Sequence, residues 1–147
     1  MPVLYKIDPT IKLIYYAGFG LCSGSEFLSA ERSTFNDPMR VPEMKIILDV
    51  RYAELNVELQ EIRALLSLNR QLVKNGHQPE KTAIISMNNF LNTSAEAFRL
   101  MGDGIPLQLS IFNYPRDALK WLGLKEGEDQ VLQISQSLLQ EYQNKKI

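Results

Sequence analysis

The 147 residues fit one domain, long enough to bury a core of its own. With 16 basic against 17 acidic residues, a formal charge of -1 leaves no electrostatic footprint for nucleic acid or an anionic membrane surface. A single cysteine, Cys22, excludes an intramolecular disulfide and suits a reducing compartment, so the expected location is the cytoplasm.

Lys6, Asp8, Pro9 and Lys12 interrupt the start of the chain where a signal peptide needs an apolar segment, and no later stretch approaches membrane-spanning length. Val3 to Ile7 is rich in β-formers and ends at the turn Asp8-Pro9-Thr10. Ile11 to Phe19 then reads as a second strand, antiparallel to the first and ended by Gly18 and Gly20. Ser23-Gly24-Ser25-Glu26 is a capping box, opening a helix that runs to about Thr34 and stops at Phe35-Asn36-Asp37-Pro38.

Met44 to Tyr52 is the third strand, an apolar run that ends in an acid, a base and a phenol. Asn56 is a good N-cap for the longest helix, Val57 to Asn75, with Gly76 after its end. Lys81 to Met87 is the fourth strand, and Thr93-Ser94-Ala95-Glu96 is a second capping box, for a helix ending near Gly102. Leu107 to Phe112 is the fifth strand. Pro115 sits at the first position of a short helix that Gly123 closes, and Val131, Ile134, Leu138 and Tyr142 fall at helical spacing after it.

This order predicts an α/β domain over residues 1–124, with a mixed, mainly parallel five-stranded sheet that begins in an antiparallel hairpin. Residues 125–147 are expected to form an appended amphipathic helix. Strand alternation suggests one apolar face carrying Leu13, Tyr15, Ala17, Phe19, Leu109 and Ile111, with helices mostly on that side. The other, mixed face would keep Ile14, Tyr16, Ile47 and Phe112. Its cover would be the C-terminal helix, a second copy of the chain, or a ligand.

Two stretches carry a resemblance. Phe35-Asn36-Asp37-Pro38, a strand ending Leu48-Asp49-Val50-Arg51 and a long helix together resemble small bacterial STAS-like proteins. The run from Phe112-Asn113-Tyr114-Pro115 to Trp121-Leu122-Gly123-Leu124 is similar to the aromatic-then-AxxWLGL ending of that group, the STAS/CRAL–TRIO-like proteins. They are related in fold to anti-sigma-factor antagonists and to lipid-transfer domains. The likeness covers about Leu4 to Leu124, and it implies a sheet backed by helices with no known enzymatic activity. One departure matters. Anti-sigma-factor antagonists carry a phosphorylatable serine after the third strand, whereas Arg51-Tyr52-Ala53-Glu54-Leu55-Asn56 holds neither Ser nor Thr. The phosphoswitch therefore does not transfer.

Asp49, Arg51 and Tyr52 stand at the carboxyl end of a strand, where ligands bind in open α/β sheets. Neighbouring strand ends would add Ser86, Asn88, Asn89, Asn113 and Tyr114, a polar rim able to contact a partner or a small polar ligand. The plainer reading is a local Asp49–Arg51 ion pair beside polar loops. Asn69 interrupts the apolar stripe of the long helix, either at a polar spot or as a satisfied amide at the edge of the core. With one His and one Cys, no metal site or His-based nucleophile pair can be written, and no cofactor is implied. Gly18-Phe19-Gly20 lacks the Lys and third glycine of a phosphate-binding loop.

The function expected from these features is a non-enzymatic binding or regulatory module acting through protein contacts, as a homodimer. The alternative is a carrier of a small apolar ligand between sheet and helices, lined by Phe27, Leu28, Phe98 and Met101.

Overall fold

The computed structural model describes residues 2–56, 59–74, 81–87 and 108–145. Strands β1 (Val3–Asp8) and β2 (Leu13–Ser23) form the antiparallel hairpin. Asp8 makes the turn, its Oδ1 accepting from the Thr10 N–H at 2.9 Å. Strands β3 (Lys45–Asn56), β4 (Lys81–Ile85) and β5 (Gln108–Phe112) follow in parallel, and the spatial order of the five equals their order in the chain.

Local chemistry fixes the helix ends. Helix α1 (Gly24–Phe35) begins at Ser23 with both halves of its capping box formed, the Ser23 hydroxyl to the Glu26 N–H and the Glu26 carboxylate to the Ser23 N–H. Helix α2 (Leu59–Lys74) lies against α1, where Ser25 donates to Glu61 at 2.8 Å. Helix α3 (Pro115–Leu122) starts on the proline and ends at Gly123, whose φ of 74° a residue with a Cβ rarely adopts. A short turn, Lys125–Gly127, leads into helix α4 (Glu128–Lys145), which buries Val131, Ile134 and Leu138. The second capping box, Gly76, His77, Phe98 and Met101 lie outside the described residues, as does the Asn69 side chain.

Two differences from the sequence reading have physical causes. Gly18 and Gly20 do not end β2: the strand continues to Ser23 and β3 to Asn56, and the two pair on both sides of a register shift at Gly18. Gly20 adopts a φ of 64°, and the register shifts between Ala17 and Phe19, so Asp49 to Tyr52 of β3 oppose the shorter stretch 17–19 of β2. The glycines thus serve a bulge rather than a stop. β4 leaves the ladder at Ile85, opposite Asp49, and among the described residues β2 and β3 continue beyond it as a two-stranded ribbon.

The second difference is in the faces. Tyr15 aligns with Ile47, then Ala83 and Ser110, whereas Ile14 aligns with Ile46, Thr82 and Leu109. Ile14 and Tyr16 therefore pack with Ala30 of α1, while Ile47 and Phe112 join Leu13, Tyr15, Ala17 and Phe19 under α3 and α4. Leu109 and Ile111 belong with Val50 and Ile84, on the α1 side. Alternation orders side chains within a strand, but only the ladder register says which sets share a face. The C-terminal helix covers its own sheet.

Candidate functional site

Asp49 is the last residue of β3 to have a β4 neighbour, and it points to the α4 side. Its carboxylate is fully engaged. Tyr15 donates its phenol O–H to Oδ2 at 2.7 Å, and Arg51 forks onto both oxygens, Nε to Oδ1 at 3.0 Å and Nη2 to Oδ2 at 2.8 Å. The Arg51 backbone N–H adds a bond to Oδ1 at 3.1 Å. Standing two residues apart on one strand, Asp49 and Arg51 are near neighbours, and the register shift beside them brings Tyr52, three residues after Asp49, to the same face. Charge-assisted, bidentate pairing of this kind is the strong form of the interaction. Asp49 holds Arg51 even more firmly protonated than a free arginine. Burial, and then the Asp49 charge, push the Tyr15 phenol well above its ordinary value, and the Ser135 side chain of α4 opposes that rise. A carboxylate sealed under a helix with both oxygens occupied is not presented to a substrate as a base.

Tyr52 is placed differently. It is half exposed, and its ring stacks on Phe19 with centroids 6.1 Å apart and planes within 9°. Phe19 in turn stacks on Tyr142 of α4 at 4.8 Å and 12°. The Arg51 guanidinium lies 5.3 Å from the Tyr52 centroid. Three rings thus tie β3, β2 and α4 together at the base of the ribbon, within the separations at which aromatic pairs attract.

The other predicted rim residues divide. Ser86 and Asn113 each follow the row Asp49–Ile85–Phe112 by one residue and so border the same edge. Ser86 is buried, its N–H bonded to the Phe112 carbonyl at 2.9 Å. Asn113 and Tyr114 are exposed, and Tyr114 occupies the position before α3 without a side-chain cap bond. Asn88 and Asn89 lie outside the described residues. Phe27, proposed as a cavity lining, packs into the core between sheet and α1.

Sequence reasoning missed a second buried cluster. On the α1 side Tyr16 donates to Glu31 Oε2 and lies 2.6 Å from Thr34 Oγ1, while Arg40 Nη1 reaches Glu31 Oε1 at 3.2 Å and Thr34 Oγ1 at 2.8 Å. Burial and the Glu31 carboxylate push the Tyr16 phenol well up. One signal was available: Glu31 and Thr34 share a helical stripe with Phe27 and Ala30, where polar residues must find partners. Cys22, buried nearby, has its thiol pushed up to about 11 by that burial. Among the described residues no group of three His, Cys, Asp or Glu could hold a metal ion, and no helix is long and apolar enough to cross a membrane.

The chain matches no protein-family model and no curated protein. Among solved structures it is similar to an uncharacterised DUF3478-family protein with a SpoIIAA-like fold from Shewanella loihica. The two are 17% identical with a TM-score of 0.53, and the match covers 82% of this chain and 93% of that one. The fold is therefore SpoIIAA-like, that is, STAS-like.

Proposed function

We propose that this protein is a non-enzymatic, cytoplasmic binding or regulatory module that acts by protein contact at the carboxyl ends of its parallel strands, with a second copy of itself as partner. One observation carries this reading. Each of the four parallel strands delivers one large apolar side chain to water at that end: Leu21 from β2 is 66% exposed, Tyr52 from β3 50%, Met87 after β4 65% and Tyr114 after β5 63%. Single exposed apolar residues are ordinary, but several at one edge of a sheet favour a contact surface. The Asp49–Arg51 pair and the ring stack give that surface a fixed base. The sealed state of Asp49 supports binding over catalysis.

Light scattering and native mass spectrometry across a concentration series test it. A bare dimer, weakened by Tyr52→Ala, Met87→Ala or Tyr114→Ala, is the expected result. A bare monomer at every concentration would refute it, and a monomer carrying lipid-sized mass would favour the carrier instead.

A further inference from the structure

We infer that the second copy docks on the edge of β3 beyond Asp49, which no described strand pairs, by antiparallel pairing of Val50–Asn56 with the same stretch of the other copy; this rests on the dimer reading above. β3 is paired with β2 through Asn56, but its opposite edge has a partner only as far as Asp49, where β4 ends at Ile85. Among the described residues no strand pairs with that edge from Val50 to Asn56. An open row of backbone N–H and C=O groups is a template for another strand, and folded proteins blunt such edges with charged residues, lysine above all, with proline, with bulges or with brevity. The outer strands here fit that rule: β1 carries the exposed Lys6 between Pro2 and Pro9, and β5 is five residues long with Gln108 and Ser110. The β3 edge has neither Lys nor Pro from Val50 to Asn56; it carries Tyr52 half exposed, and its two charges, Arg51 and Glu54, are of opposite sign.

Its side chains are self-complementary. Tyr52 aligns with Phe19 and Glu54 with Leu21, so both lie on the α4 face, while Ala53 and Leu55 turn to the α1 core. An antiparallel pair centred on Ala53 sets Tyr52 of one copy opposite Glu54 of the other, on one continuous face, twice by symmetry. Arg51, adjacent to Tyr52 and partly open to water, then flanks the Glu54 of the other copy, so the exposed acid of the edge meets a base. A two-fold axis through Ala53 satisfies the ladder and the charges together.

Hydrogen exchange on the wild-type protein, above and below its dimerisation concentration, tests the pairing. Amides within Tyr52–Asn56 should be protected in the dimer and released on dilution. Mixing Tyr52→Cys with Glu54→Cys protein under mild oxidation should give a disulfide-linked heterodimer, while Met39→Cys, exposed elsewhere in the chain, should not crosslink. Glu54→Lys, which sets like charges beside Arg51, should raise the dimer Kd by about tenfold or more with an unchanged circular dichroism spectrum. A dimer whose Tyr52–Asn56 amides are protected equally at all concentrations, or whose mixed cysteines stay unlinked, overturns this edge but leaves the dimer reading standing. A monomer at all concentrations removes both.

Discussion

Tyr15 and Tyr16 are neighbours in the chain and face opposite sides of the sheet, and each gives its phenol proton to a carboxylate that an arginine also holds. The two clusters differ in which member is sealed. Beneath α4 the Asp49 side chain is 2% exposed and Arg51 20%; beneath α1 it is Arg40 that is 1% exposed and Glu31 11%. In one the acid is deep and the base reaches water, and in the other the order is reversed. The difference says which truncation hurts. Desolvation falls on the deep member, so removing its outer partner leaves a charge with little access to water, whereas removing the deep member leaves one that can be rehydrated.

The largest effect should therefore come from Glu31→Ala, which removes the carboxylate that Tyr16 and the deeply buried Arg40 share and should cost about 3–5 kcal/mol in urea unfolding. Arg51→Ala should fall near the lower end, about 3 kcal/mol, because Asp49 keeps the Tyr15 hydroxyl and a backbone N–H. The mirror changes, Arg40→Ala and Asp49→Ala, should each cost less than their partners do. If they cost more, the exposure argument is wrong. Replacing both members, as in Asp49→Leu with Arg51→Met, should recover much of the single-variant loss.

Smaller effects sharpen the same contrast. Tyr16→Phe and Tyr15→Phe should each cost about 1–3 kcal/mol, with Tyr16 the larger because its hydroxyl serves Thr34 as well as Glu31. Both phenols have folded pKa values raised above their ordinary value, first by burial and then by the adjacent carboxylate. A raised folded value means this stabilisation is complete below the unfolded pKa of about 10 and is lost as pH climbs from there towards the folded values. The melting temperature should therefore be insensitive to these groups below about pH 9 and fall above pH 10, and the double Tyr→Phe variant should show a shallower fall.

Much of this frame could be read in advance. The Ser23–Glu26 box, Pro115 and Gly123 each act within one helical turn, so the residues alone place those ends. The Asp49–Arg51 pair was also legible, since its members stand two residues apart. The Glu31–Arg40–Tyr16 cluster was not, because nothing local joins a mid-strand tyrosine to an acid 15 residues on, across a helix. Nor did the rim form as one polar site: Ser86 is drawn inward by its backbone bond to β5, while Tyr114 stays in water.

The residues alone settled the Ser23 and Pro115 helix starts, the Gly123 helix end and the opposed directions of Tyr15 and Tyr16, because caps and the two-residue strand period are short-range geometry; Asn56, expected as a helix cap, instead ends β3. The tertiary structure decided what those tyrosines meet. The ladder register put Tyr15 beside Ile47 and, 34 residues away in the chain, within reach of Asp49, and the register shift between Ala17 and Phe19 set Tyr52 on the same face as Asp49. The end of β4 at Ile85 left β3 beyond Asp49 without a described strand on that side. Register is a property of pairs of strands, set by the packing of both faces at once, and no single stretch of chain contains it.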